Sequence, residues 1–321
     1  MTIFKSLITA IAIAAGIGGV QAQDFPSKPI TLLVGFAPGG AVDIVARALG
    51  AQLQEQIGQT VVIENRPGAG SNIAAVAAAR APADGYTLLV GANGMTTNMK
   101  LYANAGFDVQ KEFAGVSLIG ETPPVIAAGK GFSGDSLKDL VAQAKAKPGA
   151  LSYGSPGGGT SAHLMMELFQ RAAGIQLQHV PYRGGAPAIN DAVGGHVPLL
   201  AVNFPEVIGQ TNAGTLKVLG VPSLQRSPLL PNAPTVAEQG FAGFEASTWW
   251  ALFAPINTPR AVVDRLSAEV RKAAATQAFK DRMAQIGAVA TGSTPQQMDA
   301  FIARERELWE KIIVESKITA E

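Results

Sequence analysis

The 321-residue chain contains no cysteine. Disulfides, thiolate metal sites and cysteine nucleophiles are therefore excluded, while the compartment stays open on this count. Histidine is nearly as scarce, with His163, His179 and His196 making up the set. No two of them stand at i,i+4 and none lies in an H-E-x-x-H pattern, so no metal ligand is assigned. Net charge is close to absent at +1. That removes the basic footprint of a DNA- or RNA-binding protein and of a polybasic membrane contact, and nucleic acid is not an expected partner. Catalytic signatures are missing as well: no serine lies in a G-x-S-x-G elbow, no S-x-x-K occurs, and no carboxylate pair stands out. The expectation is a protein that is not an enzyme and carries no cofactor.

What is present is apolar residue in quantity, 47% of the chain against 15% charged. That is too apolar for a disordered chain and enough for one large core or two modest ones. The N-terminus has one charge, Lys5, before an apolar stretch from Leu7 to Val20 and a Val20-Gln21-Ala22 site. This pattern predicts a signal peptide over residues 1–22, cleaved after Ala22. The stretch is shorter than the roughly 20 residues of a spanning helix, and no second long apolar run follows. An exported, soluble product is expected.

From Pro29 onward, strand-like and helix-like runs alternate. Ile30 to Val34 reads as a strand, and Ala41 to Ile57 as a helix with Ile44, Val45, Ala48, Leu49 and Leu53 on its apolar stripe, stopped by Gly58. Strands follow at Val61 to Ile63 and Tyr86 to Val90, with a short Ala-rich helix at Ile73 to Ala81 between them. The theme returns with a strand at Val125 to Ala128, a helix at Leu137 to Ala146, a strand at Leu151 to Tyr153, and a helix at Thr160 to Ala173 stopped by Gly174. Gln176 to Val180 and Pro198 to Asn203 are further strands, with a short helix at Pro187 to Val193. Strands are also expected at Leu216 to Val221 and Thr248 to Ala254, with a proline-rich loop from Pro222 to Pro234 between them. A helical tail is expected over Pro259 to Ala275, Gln277 to Ile286 and Pro295 to Glu315. Such alternation predicts βαβ units and mostly parallel sheets.

Two segments match. One runs strand, Pro38-Gly-Gly40, helix, Gly58, strand, Arg66-Pro-Gly-Ala69; the other runs strand, Pro156-Gly-Gly158, helix, Gly174, strand, Arg183-Gly-Gly-Ala186. Each offers a glycine-rich loop at a strand-to-helix junction, where uncovered N–H groups and the positive helix end favour an anion. The loop Gly154 to Ser161 has a phosphate-loop skeleton, but Thr160 stands where the phosphate-contacting lysine would be. Nucleotide hydrolysis is not expected. A plain tight turn with Thr160 or Ser161 capping the helix is the alternative for one loop alone; two loops in matching positions favour binding. Gly68-Ala-Gly70 lacks the third glycine of a dinucleotide fingerprint and is taken as a turn. Asp43 is read as helix support, through a cap or an i,i+4 pair with Arg47, with contact to a ligand's amino or hydroxyl group as the alternative.

The runs Asp24-Phe-Pro-Ser-Lys-Pro-Ile30, Phe36-Ala-Pro-Gly-Gly-Ala-Val-Asp-Ile-Val-Ala-Arg47, Glu64-Asn-Arg-Pro-Gly-Ala-Gly70, Ala83-Asp-Gly-Tyr-Thr-Leu88, Gly157-Gly-Gly-Thr-Ser-Ala-His-Leu164, Val180-Pro-Tyr-Arg-Gly184 and Trp250 to Pro259 resemble the Bug family. These are periplasmic solute-binding proteins, the TctC-like receptors of tripartite tricarboxylate transporters, and the resemblance covers essentially the whole mature chain in order. It implies an α/β, two-lobed type II periplasmic binding protein, or Venus flytrap, each lobe a mostly parallel sheet flanked by helices. Lobe 1 would be discontinuous, residues 23–123 and 248–321, with lobe 2 over 124–247.

The resemblance also implies a monomeric periplasmic receptor that grips a carboxylate between its two loops, partly through ordered waters, and presents it to inner-membrane permease subunits. The ligand would be a small organic acid (mono-, di- or tricarboxylate, amino and aromatic acids included). Carried over by position, Phe36, Pro38, Gly39, Gly40 and Ala41 form one jaw. Ser155, Gly157, Gly158, Gly159, Thr160 and Ser161, with His163, form the other, and Asn93, Asn98 and Asn203 complete the candidate ligand-binding set. The family's usual His-Ala and Asn-Pro pairs are replaced here by Gly94-Met-Thr-Thr-Asn-Met99, where Asn98 matches but the histidine and proline are gone. Ligand preference is the property least transferable from the family. A secreted hydrolase or lyase on the same scaffold, or a ligand-presenting partner of a membrane sensor kinase, is the alternative.

Overall fold

A computed structural model describes residues 25–319; the leader expected at 1–22 lies outside the described residues. The chain begins with β1 (Ile30–Val34), α1 (Ala41–Ile57), β2 (Val61–Asn65), α2 (Asn72–Ala79), β3 (Thr87–Ala92), α3 (Gly94–Leu101), α4 (Val109–Glu112) and β4 (Phe113–Thr122). It continues with β5 (Pro124–Ala128), α5 (Leu137–Ala146), β6 (Ser152–Ser155), α6 (Ser161–Ala173), β7 (Gln178–Pro181), α7 (Gly185–Gly194), β8 (Leu199–Asn203), α8 (Phe204–Asn212) and β9 (Lys217–Gly220). The last elements are β10 (Thr248–Pro255), α9 (Arg260–Ala275), α10 (Gln277–Gln285), β11 (Val289–Ala290) and α11 (Pro295–Ser316).

Two sheets result. The first has the order β11-β4-β10-β3-β1-β2 and the second β7-β6-β8-β5-β9. The expectation of mostly parallel sheets needs correction, because both are mixed. In the first, β1 pairs parallel with β2 and β3, while β10 runs antiparallel to β3 and β4, and β11 to β4. In the second, β6 is parallel to β7 and β8, while β5 is antiparallel to β8 and β9. The reason lies in the connections. Only Pro123 separates β4 from β5, and β10 opens the return to the first sheet, so these strands are not placed by the helical crossovers that parallel neighbours require. Five elements are absent from the sequence reading: α3, α4, β4, α8 and β11.

Both faces of each sheet are covered. In β1, Ile30, Leu32 and Val34 point to the face packed by α1, α9 and α10, through Leu49, Val263, Val270 and Phe279. Leu33 points to the other face, against Ala74 and Ala78 of α2 and Met298 and Ile302 of α11. In the second lobe, Tyr153 and Leu199 meet Leu140 and Phe169, and Leu200 and Val202 meet Ile189 and Val207. The period-two alternation of a strand buried on both sides explains why these strands read as unbroken apolar runs. α1 and α6 both end at a glycine with positive φ, Gly58 at 66° and Gly174 at 62°, a conformation that costs other residues more.

One consequence positions the site. The chain leaves the carboxyl ends of β1, β3, β6 and β8 directly towards the amino ends of α1, α3, α6 and α8, and the turn after β7 leads into α7. In open α/β sheets, ligands settle in the crevice beyond those carboxyl ends.

Candidate functional site

Between the lobes lies a cavity with about 370 Å³ of space free of protein atoms, open solvent at its mouth included. Its wall is made almost wholly of helix beginnings. Ala41 and Val42 open α1 and Phe36 lies in the loop before it; Asn93 and Gly94 open α3 after Ala92 ends β3; Thr160 and Ser161 open α6 and Pro156 lies in the loop before it. Gly185 opens α7, Asn203 and Glu206 belong to the first turn of α8, and Thr248 opens β10. Five helix amino ends thus converge on one small space. Each carries N–H groups without an intrahelical partner and roughly half a positive charge. Among the described residues, no lysine, arginine or histidine lines it. The positive potential comes from the backbone.

The first jaw is held from behind. Asp43, with its side chain 3% exposed, accepts the Gly39 N–H at 2.9 Å, both Nε and Nη2 of Arg47 at 2.9 Å, and Asn65 Nδ2 at 2.9 Å. Burial alone would raise its carboxyl, but the bonds from Arg47, Gly39 and Asn65 outweigh burial and hold it below the ordinary value. Asp43 therefore both braces the Pro38-Gly-Gly40 turn and pairs with Arg47. Its four bonds turn it away from the cavity.

The second jaw rests on a stack of rings. His163 lies 4.2 Å from His179, centroid to centroid, and His179 lies 5.0 Å from Tyr153. His163 Nδ1 accepts the Gly159 N–H at 3.2 Å, which leaves the neutral ring's proton on Nε2. Ser155 Oγ meets His179 Nε2 at 2.6 Å and accepts the Gly157 N–H at 3.1 Å. Burial, then the neighbouring His179, lowers His163 to about 3; burial lowers His179 to about 4. Both are neutral at physiological pH. Thr160 caps α6, its Oγ1 accepting the His163 N–H at 3.3 Å while donating to the Gly157 carbonyl at 2.8 Å.

Of the candidate residues, the structure brings Phe36, Ala41, Asn93, Thr160, Ser161 and Asn203 to the cavity wall. Pro38, Gly39, Gly40, Asn98, Ser155, Gly157, Gly158, Gly159 and His163 are not on that wall and stand behind or beside it. Asn98 is fully buried, donating to the Gly70 carbonyl at 2.8 Å and to Asn72 Oδ1 at 2.6 Å. Asn93 lines the cavity, yet both ends of its amide are engaged, with the Trp249 N–H at 3.1 Å and the Ser247 carbonyl at 3.3 Å. Ser161, Thr248 and Asn203 form a chain. Thr248 Oγ1 donates to Asn203 Oδ1 at 2.5 Å, so the short contact between Ser161 and Thr248 uses the Ser161 proton.

Glu206 was missed by sequence reasoning. Its Oε1 accepts the Ala41 N–H at 2.9 Å and its Oε2 the Asn203 N–H at 2.7 Å. One carboxylate thus joins α8 of the second lobe to the amino end of α1 in the first. Burial raises it to about 7, against the lowering effect of those bonds. The available signal was the N-x-x-E spacing of Asn203 to Glu206, a capping box. Gly185 stands in the Arg183-Gly-Gly-Ala186 run that matches Arg66-Pro-Gly-Ala69 in the first segment.

The lobes touch elsewhere too. Ala37 N–H donates to the Arg183 carbonyl at 3.0 Å, Thr97 Oγ1 to the Gly159 carbonyl at 3.0 Å, and Tyr102 Oη to the Gly158 carbonyl at 2.9 Å. Chemically, the arrangement offers backbone donors to a small anion enclosed between two bodies, while the Thr160, Ser161 and Thr248 hydroxyl protons are engaged within the protein. No group of three or more acidic, histidine or cysteine side chains that would hold a metal occurs among the described residues. No helix among them is long and apolar enough to cross a membrane.

Comparison with known proteins agrees with this geometry. The family model for the tripartite tricarboxylate transporter family receptor matches residues 45–318. The chain is 36% identical over 319 residues to protein BugT of Bordetella pertussis, covering 98% of both. Among solved structures it is similar to the R. palustris protein Rpa4515 with adipate, at TM-score 0.89 and 35% identity, covering 92% of this chain and 99% of that one. It is also similar to MatC from Rhodopseudomonas palustris with bound malate, at TM-score 0.83 and 29% identity, covering 90% and 100%. The same two-lobed periplasmic binding protein fold accounts for the two mixed sheets.

Proposed function

The chain belongs to the tripartite tricarboxylate transporter receptor family, and from that premise we propose that it captures a small organic acid in the periplasm, between its two glycine-rich loops, and presents it to inner-membrane permease subunits. The observation that carries this reading is the convergence of five helix amino ends on one cavity without a basic side chain. A carboxylate is the ligand group such a site suits, since backbone N–H groups and helix ends stabilise it and ordered water bridges the remainder. Adipate and malate in the two structural neighbours support that class of ligand.

In this reading Phe36, Ala41, Asn93, Thr160, Ser161 and Asn203 meet the ligand or its waters. The glycines at 39, 40 and 157 to 159 let the loops approach it, and Ser155, Asn98 and His163 hold those loops in shape. The mature chain divides at 123/124 and 247/248, where β4 gives way to β5 and where β10 begins, and these two crossings act as the hinge. The protein works as a monomer, and closure around the acid creates the surface a permease recognises.

Thermal-shift and calorimetric screening of the mature protein against organic acids tests the proposal. A cognate acid at ~100 times its dissociation constant adds about 2.7 kcal/mol of stability and is recovered unchanged. Turnover of a screened compound, or no stabilisation by any acid, would overturn it.

A further inference from the structure

Glu206 is the one ionisable side chain on the cavity wall among the described residues, and it brings a carboxyl group into a cleft suited to anions. Its position is built rather than incidental. The Ala41 N–H holds one oxygen and the Asn203 N–H the other, and the Asn203 side chain adds a further bond. Gly185 leaves the room it needs, since a Cβ there would fall 2.0 Å from Oε1. Three helix beginnings, those of α1, α7 and α8, are shaped around this carboxylate. A group anchored from two lobes stays in place when a ligand arrives, and an ionised carboxylate accepts about four hydrogen bonds in all.

We propose that Glu206 is the specificity-determining residue of the cleft, a fixed acceptor that selects acids carrying a hydroxyl or ammonium donor near the carboxylate over the matching plain acids. The inference rests on the receptor reading above and sharpens its ligand class. The helix ends of α1, α3 and α6 take the ligand's carboxylate, and the donor on the adjoining carbon meets Glu206. A plain acid of the same length leaves Glu206 facing an apolar methylene, with its remaining acceptor capacity unmet and its charge opposed to the incoming carboxylate. A donor also offsets the burial that raises the Glu206 carboxyl to about 7.

The test measures affinities of the mature protein by calorimetry within two size-matched series: succinate, malate and aspartate, then 3-phenylpropionate, phenyllactate and phenylalanine. In the series that fits the cleft, the hydroxy or amino acid is expected to bind at least about tenfold more tightly than its plain counterpart, as a charge-assisted hydrogen bond implies. Glu206→Gln keeps the side-chain size and, through its one oxygen, the capping-box bond from the Asn203 N–H, while removing the charge and the acceptor of the Ala41 N–H, and is expected to bring that ratio close to one. Gly185→Ala displaces the Glu206 carboxylate without altering a titratable group and is expected to do the same. Thermal melts of both variants verify that they fold.

The separate arms show whether hydroxyl or ammonium is the preferred donor. Equal affinities within a series for the wild type, or a ratio unchanged in a folded Glu206→Gln variant, would overturn the specificity role and leave the receptor reading standing. Failure of every acid in both series to bind the wild type and both variants counts against the receptor reading itself, and the inference falls with it.

Discussion

Gly70 and Gly158 face each other across the lobes so closely that a Cβ on Gly70 would stand 2.4 Å from the Gly158 carbonyl oxygen. That oxygen also accepts the Tyr102 hydroxyl at 2.9 Å. Gly70 has φ 59°, so its lack of a side chain answers two demands, a left-handed turn and a closed interface. Gly70→Ala is expected to cost about 1 kcal/mol of stability through the positive φ and, separately, to hold the lobes apart. Small-angle scattering of the variant should show a larger radius of gyration than the wild type, with acid affinity at least about tenfold weaker. Unchanged dimensions and unchanged affinity would show that this contact does not limit closure.

Gly40 offers a cleaner version of the same test. Its φ of −76° and ψ of 165° suit any residue, so a larger side chain causes no backbone strain. A Cβ would sit 3.3 Å from the Ala37 carbonyl oxygen, 3.4 Å from Glu206 Oε1 and 3.8 Å from the Gly185 nitrogen. The remaining atoms of a valine must then enter the space between the lobes. Gly40→Val is expected to keep its circular dichroism and melting behaviour within about 1 kcal/mol of the wild type while losing at least about 100-fold in acid affinity, or ~2.7 kcal/mol. Normal binding by this variant would move the ligand away from the first jaw.

Much of this was legible along the chain, and what was not has identifiable causes. The helix at Ala41–Ile57 announced itself by apolar spacing and a terminal glycine, because both signals are local. β4 escaped notice: Gly115 and Gly120 interrupt it, and each lacks a side chain because Met298 or Met283 packs against the backbone there. α3 is polar along Gly94-Met-Thr-Thr-Asn98 and buries those polar groups in contacts made by the fold, Thr97 with Gly159 and Asn98 with Gly70. The bond from Ala41 to Glu206 spans 165 positions. No window of sequence contains both partners, so a capping box was the most that Asn203 to Glu206 could disclose.

Asp43 gives a stability prediction whose pH dependence has a definite sign. Its folded value lies below the ordinary one near 4, so its contribution is present above that value and lost as pH falls through the lowered one. Asp43→Asn removes charge-assisted bonds to Gly39, Arg47 and Asn65 and is expected to cost about 2 kcal/mol at pH 7. Urea unfolding at pH 7 and at pH 3 measures the difference between variant and wild type. The gap should narrow at the lower pH. A constant gap would mean that the charge on Asp43 contributes nothing and only its shape matters.

The stacked imidazoles of His163 and His179 predict the opposite of a cationic pair. Unfolded, both take up protons as pH falls below their ordinary 6.5; folded, they resist until about 3 and about 4. Between those limits the unfolded chain binds more protons, so stability declines with falling pH by up to about 1.4 kcal/mol per unit for each ring. Protonation would also set two like charges 4.2 Å apart, centroid to centroid, and remove the acceptor that holds the Gly159 N–H. His163→Gln retains an acceptor oxygen for that N–H but cannot titrate. Its unfolding free energy, measured from pH 7.5 down to pH 5, is expected to fall less steeply than that of the wild type, and acid binding at pH 7.5 should survive. An identical slope in the two proteins would mean that His163 is not held neutral beneath the second jaw, and that the loop's shape has another support.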